Sequence, residues 1–181
     1  MGNKRIPVSV VAGAIALTLC SLSATAAPKH ANTKTVALKN SDGADVGTAT
    51  IASSGSGVEV KLDLKKLPPG EHAVHFHQTA KCDPPDFKTA GGHFNPTNKE
   101  HGFENPQGHH AGDMMNFTVK QNGTAKATVK DADVVLGSGT EPNSLLANGG
   151  TAIVIHASAD DYKTDPSGNS GARIACGVIT K

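Results

Sequence analysis

The sequence predicts an all-β domain: about eight short antiparallel strands in a sandwich or flattened barrel, joined by long loops. Two observations carry this reading. Val58, Val60, Leu62 and Leu64 alternate with Glu59, Lys61, Asp63 and Lys65, the period of two of a half-buried strand. Short apolar runs then recur at hairpin spacing between clusters of Gly, Pro, Asn and Asp. There is no internal repeat and no amphipathic helical pattern.

In chain order, the first strands are Thr35 to Lys39 and Val46 to Ala52, flanking the turn-rich Asn40-Ser41-Asp42-Gly43. The alternating strand 58–65 follows. Leu67-Pro68-Pro69-Gly70 turns the chain into a fourth strand, Glu71 to Gln78. Residues 79–114 hold Gly, Pro, Asn and His without periodicity. A loop of that length inside a compact domain is functional or is held by something. Strands resume at Asn116 to Lys120 and Gly123 to Lys130. After a Gly-rich connection, Ala152 to Ala157 and Arg173 to Ile179 read as the last two, separated by the polar stretch 158–171.

The N-terminus reads separately. Lys4 and Arg5 precede a mostly apolar stretch from Val8 to Cys20, and Ala24-Thr25-Ala26 offers an A-x-A cleavage site. Residues 1–26 are thus expected to be a secretory signal peptide, removed on export. The apolar stretch is short of the ~20 residues of a membrane span. Lipidation at Cys20 is disfavoured by Leu19, which stands where a small residue is wanted. A flexible lead, 27–33, and one domain, 34–181, are expected to follow. Cleavage leaves 155 of the 181 residues, with 15 basic and 16 acidic side chains. That balance gives no basic patch for nucleic acid. Cys82 and Cys176 remain as an even pair in an oxidising compartment, where a disulfide is expected.

Seven of the nine histidines fall between residues 72 and 110. In His75-Phe76-His77 the two imidazoles share one strand face and Phe76 takes the other. His93, His101, His109 and His110 lie in the long loop, with Asp113 three residues after His110. A bound metal explains how so polar a loop orders, since imidazole suits copper and zinc and a carboxylate completes a zinc site. His156 ends the apolar strand AIVIHA. These candidates exceed the four ligands of one tetrahedral zinc, which suggests two metal ions. His30 lies in the lead and is given no role. His72 differs in parity from His75 and His77 and reads as structural. Met114 and Met115 read as packing residues. The adjacency of His109 and His110 leaves open which of them ligates.

The motifs GEHAVHFH (70–77), AGGHFNP (90–96), HHAGD (109–113), IHASADD (155–161) and GARIACGVI (171–179) resemble those of copper/zinc superoxide dismutases of the exported bacterial type. The resemblance runs from about Thr35 to Lys181. It implies an eight-stranded Greek-key barrel with one copper and one zinc ion per subunit. It makes His75, His77, His93 and His156 copper ligands, and His93, His101, His110 and Asp113 zinc ligands. His93 thus bridges the two metals, and His110 is favoured over His109. Asp160 then links a copper-side to a zinc-side histidine, Cys82 and Cys176 form the intrasubunit disulfide, and Arg173 receives the anion.

The implied reaction is dismutation of superoxide to O2 and hydrogen peroxide by alternate reduction and reoxidation of copper, with His93 and Arg173 catalytic. The alternative is a dismutase-like module that binds or delivers copper without turnover. A zinc-only hydrolase needs an open zinc position, which four ligands would close. Expected partners are superoxide and a homodimer mate, with no nucleic acid and no membrane span. The expected location is the periplasm, with secretion or envelope association as the other exported destinations. Two departures from the family pattern stand out. Only 11 residues, Tyr162 to Ala172, separate Asp161 from Arg173, which leaves Lys163 as the one candidate for steering substrate. Conversely, CDPPDFKTAGGH (82–93) is longer than its counterpart.

Overall fold

The computed structural model describes residues 1, 2 and 32–181. All of the expected signal segment after Gly2, Cys20 included, and His30 with most of the lead lie outside the described residues. Among the described residues nine strands form: β1 (Thr33–Lys39), β2 (Asp45–Ser54), β3 (Gly57–Leu64), β4 (Gly70–His72), β5 (Val74–His77), β6 (Phe117–Val119), β7 (Ala125–Asp131), β8 (Thr151–His156) and β9 (Arg173–Ile179). The expected strand 71–78 is two strands, broken at Ala73: β4 pairs with β6, whereas β5 pairs with β8. β1 begins at Thr33, so it takes in the last residue of the expected lead.

All strand pairings are antiparallel. Seven strands run in the order β5-β8-β9-β1-β2-β3-β7, and β4-β6 makes the short second sheet. The pairs β3–β7, β4–β6 and β5–β8 join strands distant in sequence, the crossovers of a Greek key. β9 meets β1 through Lys39 and Cys176 alone, and there the sheet curls. Among the described residues no helix is long and apolar enough to cross a membrane.

The alternation seen in the sequence fills the core. In β3, Val58, Val60, Leu62 and Leu64 are buried, while Lys61 and Asp63 are exposed. They pack with Leu38, Ile51, Val74, Phe76, Ile153 and Ile155 in one cluster. β8 is buried on both faces. Its other side, Ala152 and Val154, joins a smaller cluster with Phe87, Ala90 and Cys176. This second cluster anchors the long 82–93 segment, and the disulfide Cys82–Cys176 ties it covalently to β9. The bond closes a separation of 94 residues, and chain entropy then allows roughly 4–5 kcal/mol of stabilisation. Met114 packs in the core as expected. Met115 does not: it is exposed, because the chain entering β6 alternates sides at this point.

Candidate metal centre

β5 lies at one end of the seven-stranded sheet, so one of its edges has no strand partner. Loop segments fill it. Phe76 N–H donates to Gly112 O (2.9 Å), Phe94 N–H to Phe76 O (2.8 Å), Gly112 N–H to Phe94 O (2.8 Å) and Gln78 N–H to Gly92 O (3.0 Å). These bonds satisfy an edge that would otherwise be exposed. They also bring His93 opposite His77 and Asp113 opposite His75. Gly112 is required there, since a Cβ would crowd the Phe76 carbonyl. The long loop is therefore docked by its backbone where its side chains meet the strand.

Phe76 points into the core, and His75 and His77 share the opposite face, as their spacing predicts. His156 ends β8 and pairs in register with Arg173, the first residue of β9. Ring nitrogens of His75, His77, His93 and His156 all lie within 4.8 Å of one another. A second set, His93, His101, His110 and Asp113, is equally close, and His93 belongs to both. All seven residues are buried. Hydrogen bonds fix which nitrogen each ring offers. His75 Nε2–H donates to Asp160 Oδ2 (2.8 Å) and His77 Nδ1–H to Gly91 O (2.9 Å). His156 turns Nδ1 towards Ser170 Oγ (3.1 Å) and Gly171 O (3.3 Å). The remaining nitrogens face inward, with Nε2 of His77 and His156 only 3.4 Å apart.

In the second set, Nδ1 of His93, His101 and His110 lies 2.8, 3.0 and 3.3 Å from the Asp113 carboxylate. Asp113 Oδ2 is fixed by the backbone N–H groups of Gly102 (3.1 Å) and His110 (3.0 Å). The buried atoms His75 Nδ1 and His93 Nε2 have no hydrogen-bond partner. Unsatisfied buried nitrogens are costly unless something else takes their lone pairs. Four converging imidazoles suit copper, and three with a carboxylate suit zinc, so both sets fit these ions.

Asp160 holds the two sets together: Oδ2 accepts from His75 Nε2–H, and Oδ1 accepts from His101 Nε2–H (3.0 Å). Gly168 permits this, because a Cβ there would overlap the Asp160 carboxylate. His109 is not in either set. It pairs with Asp133 (2.9 Å) and packs on Phe103. His72 has the structural place expected, its ring nitrogens 2.8 Å from the carbonyls of Pro68 and His156.

The electrostatics of the two sets differ. Burial depresses the pKa of His75 and His156 to about 4. Burial, together with His75, takes His93 to about 3. Burial opposes charge on His101 too, but the adjacent Asp113 and Asp160 carboxylates outweigh it and raise His101 to about 9. Asp113 is itself held far below the usual carboxylate range, the three histidines outweighing its burial.

Arg173 donates from Nη1 to Phe87 O and from Nη2 to Gly91 O, both at 2.7 Å. Gly91 O thus serves both Arg173 and His77, and the disulfide pins the segment that carries these carbonyls. Arg173 lines an open cavity of about 480 Å³ with His93, His110, His156, Asn95 and Ser167. Among the described residues no carboxylate lines it, and Arg173 is its one permanently charged group. Lys163 is exposed and does not line it.

Sequence reasoning missed Asn116. Its amide Nδ2 donates to Asp160 O, and its Oδ1 accepts Asp160 N–H, both at 2.9 Å. Its own N–H donates to the Tyr162 hydroxyl (2.8 Å). No local pattern marks such a residue, since its partner lies 44 positions away.

Comparison with known proteins agrees with this geometry. The family model for copper/zinc superoxide dismutase matches residues 46–179. A copper/zinc superoxide dismutase of Aquifex aeolicus is 51% identical over 141 residues, 77% of this chain and 83% of that protein. A superoxide dismutase-like protein of Bacillus subtilis is 44% identical over 146 residues, 80% of this chain and 74% of its own length. Among solved structures, the copper/zinc superoxide dismutase of Brucella abortus superposes with a TM-score of 0.67 at 28% identity, covering 82% of this chain and 99% of that one. The match over most of the chain, together with these identities, establishes that the chain belongs to the copper/zinc superoxide dismutase family.

Proposed function

We propose that the protein dismutes superoxide, converting two superoxide anions and two protons to O2 and hydrogen peroxide. The observation that carries this reading is the pairing of two four-residue ligand sets through His93 beneath a cavity that Arg173 lines with its fixed charge. His75, His77, His93 and His156 would hold copper; His93, His101, His110 and Asp113 would hold zinc. When bound, copper supplies one-electron redox chemistry, and zinc supplies a fixed positive charge that makes the shared imidazole easier to deprotonate.

The protein's own groups do the rest. Arg173 spends one N–H of each terminal nitrogen on Phe87 O and Gly91 O. A guanidinium has five N–H donors, so the others remain to bind an anion. The held fork thereby sets where superoxide sits relative to His156 and His93. His93 Nε2 is the atom at which a proton is held and handed to the reduced anion. Asp160 keeps His75 and His101 in orientation from behind.

The experiment is direct. The protein is loaded with copper and zinc, metal content is measured, and superoxide consumption is followed in wild type and His156→Ala. Wild type should consume superoxide and the variant should lose most of that activity. Wild type with full copper and no consumption refutes the reading, and leaves the copper-binding module in its place. Arg173→Ala should slow turnover and flatten its dependence on ionic strength.

The reading extends to the whole chain. Residues 1–26 act as a removed export signal, 34–181 form the dismutase domain, and the product resides in the periplasm. The basic-apolar-small pattern from Lys4 to Ala26 and the disulfide support this. A homodimer is the expected assembly. Mass spectrometry of the exported protein and sedimentation test the two points.

A further inference from the structure

We infer that Asp165 is a third carboxylate clamp on His101, a positioning residue for the zinc-side ligands that acts on the backbone where Asp160 acts on the ring. The inference rests on the metal-site reading above. His101 is fully buried yet lies in a stretch with no strand or helix to set its backbone. Asp160 holds its Nε2, and Asp113 faces its Nδ1. Its backbone N–H donates to Asp165 Oδ1 at 2.7 Å, across 64 positions of sequence. The same oxygen lies 4.0 Å from Nε2 of His110, the other loop histidine of that set.

The acceptor stands on a turn that folds itself. The Asp161 carboxylate takes the N–H groups of Lys163 (2.9 Å) and Thr164 (2.8 Å), the Thr164 hydroxyl (2.6 Å) and the Asn169 amide (2.9 Å). Gly168 N–H closes onto Thr164 O (2.6 Å). Glu104 N–H, three residues beyond His101, donates to Tyr162 O (2.8 Å). The short 160–171 segment is thus a braced platform, and Asp165 is its contact with the main chain of a ligand. Asp160 fixes how the His101 ring is turned. Asp165 fixes where the ring starts from, so that Nδ1 reaches the point shared with His93, His110 and Asp113.

The test uses the full protein, stripped of metal and titrated with Zn2+ against a chelator, and with Co2+ for its visible spectrum. Asp165→Ala should weaken Zn2+ binding about 10–100-fold, the range for a partner that orients a ligand, and should alter the Co2+ bands. Asp165→Asn keeps an oxygen acceptor at the same place and should restore most of the affinity. A merely structural residue gives a different result: metal-free Asp165→Ala melts lower but binds Zn2+ and colours with Co2+ as wild type does. That result overturns the inference. Should Asp165→Ala not fold, hydrogen exchange of the His101 amide in metal-free wild type decides the question, and exchange at the rate of an open loop overturns the inference. Wild type that binds neither ion overturns the metal-site reading itself, so the two failures are told apart.

Discussion

His75, His77 and His156 are strand residues, whereas His93, His101, His110 and Asp113 sit in the loop that crosses the end of β5. The first three are set by the β5–β8 pairing and by Phe76, Ile153 and Ile155 packed behind them. Their outer nitrogens meet neutral carbonyls, a hydroxyl or a single carboxylate, and burial keeps the rings uncharged. The loop set is docked on β5 by its backbone, but no packed core stands behind its rings. It is drawn together by Asp113 and Asp160, which hold a proton on His101. One half of the site is shaped by packing and the other by charge. The packed half should therefore keep its shape without metal, and the charged half should depend on its carboxylates.

The largest expected effect follows from removing the centre of the charged half. Asp113→Ala takes away the group that faces three histidines and two backbone N–H groups. Zinc affinity should fall by more than ~100-fold, beyond the range of outer partners. Hydrogen-exchange protection should drop across 93–114 while β5 and β8 keep theirs. His77→Ala should do the reverse, impairing copper binding with the loop still protected. Equal loss of protection in both variants would erase the distinction between the halves.

Asp160→Ala sharpens the same comparison because Asp160 touches both sides. His75 and His101 each lose one hydrogen bond, so copper and zinc affinities should each fall about 10–100-fold. Competition titrations with each ion alone measure this. A change confined to zinc would mean that packing alone fixes His75.

The two halves also predict opposite pH slopes for the metal-free protein. His75 and His156 have pKa values of about 4, below the ordinary 6.5. Groups depressed in this way gain protons first in the unfolded chain. The stability they report is present above 6.5 and is lost as pH falls through 4. His101, at about 9, is raised. Its contribution is complete below 6.5 and disappears as pH rises through 9. Each group acting alone gives a slope of at most about 1.4 kcal/mol per pH unit. Urea unfolding between pH 4 and 10 should show both limbs, and His101→Gln should remove the alkaline one. An unchanged alkaline limb in that variant would place the proton elsewhere.

How much of this was legible in the sequence depends on how local each cause is. The period of two in β3 and the shared face of His75 and His77 are properties of adjacent residues, and both appear in the structure. The break at Ala73 is not local. Ala73 donates its N–H to Ser158 O and accepts from His156 N–H, so a distant segment separates β4 from β5. Motif resemblance named the residues that gather around His93, but it was silent on the carbonyls of Phe87 and Gly91, because a carbonyl leaves no mark in a sequence. Met115 was misplaced for a related reason, since two adjacent methionines cannot both face the core of an extended chain.

The smallest effect tests how finely the loop side is braced. Asn116 grips the backbone N–H and C=O of Asp160, and so holds the carboxylate that His75 and His101 share. Asn116→Ala removes one donor and one acceptor from partly buried main-chain groups, at a cost of about 1–2 kcal/mol. In a domain of this size that lowers the melting temperature by a few degrees. Asn116→Asp keeps the acceptor for Asp160 N–H and loses the donor to Asp160 O, so it should fall between wild type and Ala. The metal readout separates bracing from bulk stability. If Asn116 braces the loop, zinc should dissociate faster from Asn116→Ala at temperatures well below its melting point, with the copper side less affected. If dissociation is unchanged while the melting point falls, Asn116 stabilises the fold without steadying Asp160, and the bracing of the charged half ends at its carboxylates.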